Sequence, residues 1–256
     1  MARAPCCTAP TTTAPACEPV DRFLDTRAWI FDLDNTLYPA KSNLFAQIDQ
    51  RMGEFISNYL ELPFDEARKI QKSYYVAYGT TLAGLMAEHG LKPEKFLDYV
   101  HDIDVSMLQP SPELGQAIEE LPGKKYIFTN GSQAHAENVA GQLGVLDKFD
   151  GVFDIGDAGF VPKPDASAYD KFLEAHKVTA HEAAMFEDMP HNLEAPHALG
   201  MATVLVHSEY YDHPVQRRIK EWVEPPVHVH HMTQDLLEFL RRIHGAIAAG
   251  ANGDPH

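Results

Sequence analysis

Ala28-Trp29-Ile30-Phe31-Asp32-Leu33-Asp34-Asn35-Thr36-Leu37 sets a short apolar run directly against a pair of carboxylates. The first four residues read as a buried strand, and the Asp and Asn residues that follow have the turn chemistry of the loop that ends it. A strand therefore delivers Asp32 and Asp34 into a loop. Outward from it, a helical segment of roughly 65 residues (about Ser42 to Val105) shows Leu44, Ile48, Met52, Phe55 and Tyr59, then Ala67, Ile70, Tyr74 and Tyr78, at spacings of three or four.

Beyond Pro110 and Pro112, helices and strands alternate. Helical 113–121, 134–143, 166–176 and 192–199 precede the apolar runs Lys125–Phe128, Gly151–Phe153, Ala183–Phe186 and Ala202–Val206, respectively. Short apolar strands separated by amphipathic helices imply a parallel sheet covered on both faces. The expected fold is α/β, a Rossmann-like doubly wound parallel sheet with an inserted helical cap. This reading divides the chain into a disordered N-terminal tail (1–24), a core (25–40 and 109–245), a cap (41–108) and a loose C-terminal tail (246–256), the looseness starting at Gly245.

The 256 residues are 45% hydrophobic and 23% charged, enough for one sizeable core and a small second module. A formal charge of -16 repels nucleic acid and anionic membrane surfaces. An anionic ligand must instead meet local positive charge from a metal, a lysine or oriented amides. Cys6, Cys7 and Cys17 all lie near the N-terminus, which leaves the rest without a disulfide framework and fits a reducing, cytoplasmic setting. No run approaches the length of a membrane span. A monomer or homodimer is expected.

Ligands of an open parallel sheet bind at the carboxyl ends of its strands. Those ends carry Asp32 and Asp34, then Thr129-Asn130-Gly131-Ser132, then Glu187-Asp188, with Lys163 in a loop after the third strand. Carboxylates, a hydroxyl and a lysine are the groups that a phosphate-plus-magnesium site needs. Each has a plainer reading: an Asx turn or helix cap for the DxD, a strand-end turn for Thr129, a solvated surface charge for Lys163, a helix cap for Glu187-Asp188. Their recurrence as a set favours the functional reading.

The set resembles the haloacid dehalogenase (HAD) superfamily, whose four signatures occur here in order: DxDxT as Asp32-Leu33-Asp34-Asn35-Thr36, a hydrophobic strand ending in Thr as Ile127-Phe128-Thr129-Asn130-Gly131, Lys163 before Pro164, and the acidic pair in Phe186-Glu187-Asp188-Met189-Pro190-His191-Asn192. Met189-Pro190-His191 departs from the small residue usual after that pair. The resemblance implies that Asp32 is a nucleophile on phosphorus, that Asp34 is general acid and base, that Thr129 and the Asn130 amide bind phosphoryl oxygens, and that Lys163 neutralises charge. It also implies that Asp32, the Asp34 carbonyl, Asp188 and Glu187 hold Mg2+ and that Asn192 orients the acidic loop.

A small helical cap between the first two signatures is similar to that of nucleotidases, phosphoglycolate phosphatases and phosphomutases. Leu37-Tyr38-Pro39 and Tyr78-Gly79-Thr80-Thr81-Leu82-Ala83-Gly84-Leu85 look like the pyrimidine 5'-nucleotidases. Tyr78, Thr80 and Thr81 are therefore expected at the substrate, against the alternative of a simple interhelical turn. The expected activity is hydrolysis of UMP or CMP. Its alternatives are a phosphatase for another small metabolite such as phosphoglycolate or a sugar phosphate, a phosphomutase, and a non-catalytic regulator. His228, His230 and His231, beside Pro225-Pro226, read as a surface loop, His191 as structural, and Trp222 with Tyr210-Tyr211 as packing or interface.

Overall fold

Ala28–Phe31 forms the central strand β1 of the computed structural model, which describes residues 20–210 and 214–252. Four helices follow, α1 (Leu44–Leu60), α2 (Phe64–Tyr78), α3 (Thr81–His89) and α4 (Pro93–Val100). The chain then runs through α5 (Pro112–Glu119), β2 (Lys124–Phe128), α6 (Gln133–Leu143), β3 (Gly151–Phe153), α7 (Ala166–His176), β4 (Ala183–Glu187), α8 (Glu194–Ala198) and β5 (Ala202–Val206). Short α9 (Pro214–Arg217), β6 (His231–Thr233) and α10 (Leu236–Asn252) close the described chain. No helix among the described residues is long and apolar enough to cross a membrane.

The strands form one parallel sheet in the order β3-β2-β1-β4-β5-β6. Every residue of β1, β4 and β5 is buried, as the uninterrupted apolar runs require when helices cover both faces. Alternation along β1 sends Trp29 and Phe31 into one core layer, with Phe186, Val204 and the α10 residues Leu240 and Ile243, and Ile30 into the other, with Phe128, Phe172 and Met185. Phe31 pairs with both Ile127 and Phe186, so the residues that leave these three strands emerge at one level. The strand order reverses between β1 and β4, the switch point at which such sheets open a crevice.

Helices α1 to α4 build a separate small core from Ile48, Ile56, Ala67, Leu82, Leu85, Phe96 and Val100. Helices α2 and α3 approach closely at Gly84, where an added Cβ would lie 2.4 Å from the Tyr74 ring.

Three readings are corrected here. The stretch from Gly245 is not loose, because α10 continues to Asn252 and carries an apolar stripe (Leu236, Phe239, Leu240, Ile243, Ile247) past Gly245 onto the sheet. Residues 1–24 do not all form a tail: Val20–Phe23 is a 3-10 turn, and Phe23 is fully buried against Trp29, Phe239 and His231. Residues 1–19, with all three cysteines, lie outside the described residues, as does Tyr211. The histidines after Pro225-Pro226 are not simply surface: His231 opens the edge strand β6 and is buried, and His230 Nδ1 accepts a hydrogen bond from the Thr203 N–H at 3.1 Å. A three-residue strand beside two prolines carries too little periodicity to be read in advance. Tyr210 is exposed, whereas Trp222 packs half-buried against the α7 side of the core.

If α10 belongs to the core, Ile243→Ala lowers unfolding free energy by about 2–5 kcal/mol, read from urea melts followed by circular dichroism; a change under about 0.5 kcal/mol would mark the helix as peripheral.

Candidate active site

Lys163, only 2% exposed, is brought by the loop after β3 to the ends of β2, β1 and β4. Its Nζ lies 2.8 Å from each of Asp32 Oδ1, Glu187 Oε2 and the Phe128 carbonyl, so all three ammonium hydrogens are used. Asn130 fixes the lysine main chain from both sides: its Oδ1 accepts from the Lys163 N–H at 2.8 Å and its Nδ2 donates to the Lys163 carbonyl at 3.1 Å. The Asn130 side chain is thus spent on the loop, and what it offers a ligand is its main-chain N–H. Thr129 is buried, and its hydroxyl oxygen accepts from the Gly131 N–H at 2.9 Å, which leaves the hydroxyl hydrogen to donate.

Asp32 follows β1 directly. Its Oδ2 accepts from the Thr36 hydroxyl at 3.1 Å, which accounts for the threonine of the motif. Asp32, Glu187 and Asp188, all buried, bring ligand oxygens within 4.8 Å of one another, a set that could bind a metal ion. Glu187 is the most committed of the three, with Oε2 on Lys163 and Oε1 accepting from the Met189 N–H at 3.1 Å. Asp188 Oδ2 accepts from the Gln216 side chain of α9. Burial, then Glu187, push the Asp32 carboxyl up to about 7 against the pull of Lys163. Burial, then Glu187 and Asp32, hold Asp188 well above the usual carboxylate range against the pull of Lys163. Burial would lower Lys163, but Asp32 and Glu187 outweigh it and hold it in its charged form.

Asp34 faces a different environment. Its carboxyl is no part of the three-carboxylate cluster, because Oδ1 accepts from the Tyr38 hydroxyl at 2.6 Å and contacts His135 Nε2 at 2.9 Å. Burial would raise it, but His135 and the Tyr38 hydroxyl prevail and hold it below the ordinary range. His135, in the first turn of α6, stacks on His101 at 4.4 Å between ring centroids, and His101 Nδ1 lies 2.8 Å from Ser132 Oγ.

The expected cap residues sit at the α2–α3 turn. Gly79, with φ +81, ends α2; Thr80 Oγ1 accepts from the Ala83 N–H at 3.1 Å and caps α3; Thr81 is buried; and the Tyr78 hydroxyl donates to Glu88. The turn nevertheless lies over the lysine loop, and Tyr78 and Gly79 share an open cleft of about 290 Å³ with Pro162, Pro164 and Asp165. Asn192 is buried, and its carbonyl accepts from the Tyr169 hydroxyl at 2.6 Å, which anchors the acidic loop to α7. His191 is half-buried.

Residues 26–200, more than half of the chain, match the family described as haloacid dehalogenase-like hydrolase. The chain belongs to that family. It is 28% identical over 209 residues to Phosphate metabolism protein 8 of Saccharomyces cerevisiae, a match covering 73% of this chain and 63% of that protein. This HAD-like hydrolase thus spans less than two thirds of the length of its curated relative. Its fold is similar to the crystal structure of an HAD phosphatase from Thermococcus onnurineus (TM-score 0.57, 21% identity, 86% of this chain and 99% of the other). It is also similar to L-2-haloacid dehalogenase from Xanthobacter autotrophicus with chloropropionic acid covalently bound (TM-score 0.55, 19% identity, 86% and 99%).

Sequence reasoning missed His135, His101, Gln216 and Tyr75. His135 had a faint signal, three residues beyond Ser132 on the helix that leaves a strand end; His101 and Gln216 meet their partners across long stretches of chain and had none. Tyr75 of α2 is raised to about 12 by burial and then by the charges of Asp188 and Glu187.

Burial, then His135, lower the His101 imidazole to about 3 against the pull of Asp34. The unfolded chain binds that proton near pH 6.5, so the stability from neutral His101 is complete above pH 6.5 and is lost as pH falls toward 3. The unfolding free energy of His101→Phe should depend on pH between 6 and 4 with a slope smaller by up to one proton than the parent, in urea melts across that range; identical slopes would contradict it.

Proposed function

We propose that this hydrolase is a Mg2+-dependent phosphomonoesterase that forms an aspartyl-phosphate on Asp32 and acts on a pyrimidine nucleoside 5'-monophosphate, UMP or CMP. The observation that carries the reading is an imbalance of buried charge: three carboxylates, Asp32, Glu187 and Asp188, around one ammonium, Lys163. Buried carboxylates in excess either take up protons or hold a cation. With Glu187 committed to Lys163 and Met189, Asp32 and Asp188 would hold a divalent cation that prefers hard oxygen donors. Bound magnesium supplies the charge that lets a carboxylate approach a phosphoryl dianion.

The chain's own groups do the rest. An Asp32 oxygen bonds to phosphorus as the ester P–O bond breaks, and Lys163 with Thr36 holds that carboxylate in place. The Thr129 hydroxyl and the Asn130 N–H receive phosphoryl oxygens. Asp34, ionised beside His135 and Tyr38, would take up a proton as the phosphoryl dianion arrives next to it, give that proton to the leaving oxygen, then take one from the water that hydrolyses the acyl phosphate. A halide leaves carbon without needing a proton, so a second carboxyl held beside the nucleophile favours phosphoryl transfer over dehalogenation. The names of the yeast relative, Phosphate metabolism protein 8, and of the Thermococcus HAD phosphatase agree with that choice.

The pyrimidine preference rests on Leu37-Tyr38-Pro39 and the Tyr78–Leu85 segment, together with Tyr78 on the cap above the lysine loop, whose ring suits stacking on a base.

Phosphate release from UMP, CMP, AMP, GMP and sugar phosphates, with magnesium and with chelator, tests the reading beside Asp32→Asn. Hydrolysis of UMP and CMP above the rest, lost with chelator and lowered roughly 10⁴-fold or more by Asp32→Asn, is expected. Activity confined to sugar phosphates would move the substrate, isomer formation in place of phosphate would make a mutase, and no turnover of any ester would overturn catalysis. Asp34→Asn should lower turnover by about 10²–10⁴-fold yet retain magnesium binding by calorimetry; abolished binding would remove Asp34 from the acid role.

A further inference from the structure

The Asp34 carboxyl takes both of its donors on one oxygen. The Tyr38 hydroxyl and His135 Nε2 converge on Oδ1, at 2.6 and 2.9 Å, and Oδ2 takes no donor among the described residues. The Asp34 side chain keeps 17% of its surface exposed, whereas that of His135 keeps none. The His135 ring is braced by a stacked neighbour. It stacks on His101 at 4.4 Å with an interplanar angle of 11°, and His101 is itself tied through Nδ1 to Ser132 Oγ, the residue that caps the helix carrying His135.

Packing alone does not explain a histidine at position 135. Its Nδ1 is buried with no hydrogen-bond partner among the described residues, which costs stability, and an apolar side chain would avoid that cost. What the imidazole supplies that leucine cannot is Nε2–H, aimed at Asp34.

We propose that His135 and Tyr38 are positioning residues for Asp34: they pin Oδ1 and aim Oδ2 at the leaving oxygen, while His101 buttresses the His135 ring. The inference rests on the acid role given to Asp34 above. A misaimed acid slows proton delivery to the leaving group without weakening the grip on the phosphoryl group. An alkoxide needs that proton as its P–O bond breaks; 4-nitrophenolate, a far weaker base, leaves with little help.

The test compares 4-nitrophenyl phosphate with the alkyl phosphomonoester that the wild type hydrolyses best, UMP being expected, in His135→Leu, His135→Gln and Tyr38→Phe, with Asp34→Asn as reference. For His135→Leu, kcat on the alkyl ester should fall about 30–100-fold with KM within about threefold, and kcat on the aryl ester far less. His135→Gln places an amide Nε2 near the imidazole Nε2 and should recover most of the loss, and Tyr38→Phe should show the same ester selectivity in milder form. The thermal midpoint of His135→Leu should equal or exceed the parent's, since the unpartnered nitrogen is gone. Equal losses on both esters, or a glutamine variant no better than leucine, would overturn the proposal. If Asp34→Asn shows the ester selectivity and His135→Leu does not, the positioning role alone fails; if Asp34→Asn shows none, the acid assignment fails and this inference with it.

Discussion

One ammonium group, Lys163 Nζ, is shared by Asp32 beyond β1, Glu187 at the end of β4 and the Phe128 carbonyl at the end of β2, at 2.8 Å in each case. Those strands are neighbours in the order β2-β1-β4, so one buried cation ties together three adjacent strand ends at the switch point of the sheet. Removing it would leave two buried carboxylates unpaired, an arrangement that generally costs about 3–5 kcal/mol. Its own position is secured by Asn130, which bonds the lysine main chain in both directions and so couples the loop after β3 to the loop after β2. Asp32, Thr129 and the pair Glu187-Asp188 therefore share a common reference point.

The two aspartates of the first loop, two residues apart, are driven in opposite directions. Asp32 lies among carboxylates in a wholly buried site and is pushed up to about 7, while Asp34 turns to His135 and Tyr38 and is held low. The cause is the company each keeps: carboxylates crowd Asp32 in a buried site, whereas a histidine and a phenol hydroxyl favour the ionised form of Asp34. Asp32 lies directly beyond β1 and Asp34 in the turn that follows, so strand alternation no longer ties the two side chains to one wall of the crevice.

The α/β architecture was legible because it rests on local pattern: short apolar runs, helical spacing between them, and turn residues at their ends. The motif residues were legible for a related reason, since Asp32, Asp34, Thr129, Glu187 and Asp188 lie at or just beyond the ends of strands that the pattern already located. What local pattern lacked was long-range partnership. Gly245 and Gly250 disfavour a helix in the last stretch, and only docking of the apolar stripe of Leu236–Asn252 onto the sheet overrides that propensity. Phe23 had no periodic neighbours to announce that it would be buried against Trp29 and Phe239.

By itself the sequence determined a doubly wound parallel sheet and the identity of the carboxylates, threonine and lysine that the sheet presents, because spacing along a chain dictates which residues a strand delivers to its end. Tertiary structure alone decided which oxygen of Asp34 is held, which ring holds it and which ring braces that one, because Asp34, His101 and His135 are far apart in the chain and meet only when the cap returns to the core. It also decided that Glu187 serves the lysine and that Asn130 serves its backbone, since hydrogen-bond partners are chosen by distance and direction in space, to which residue order is blind.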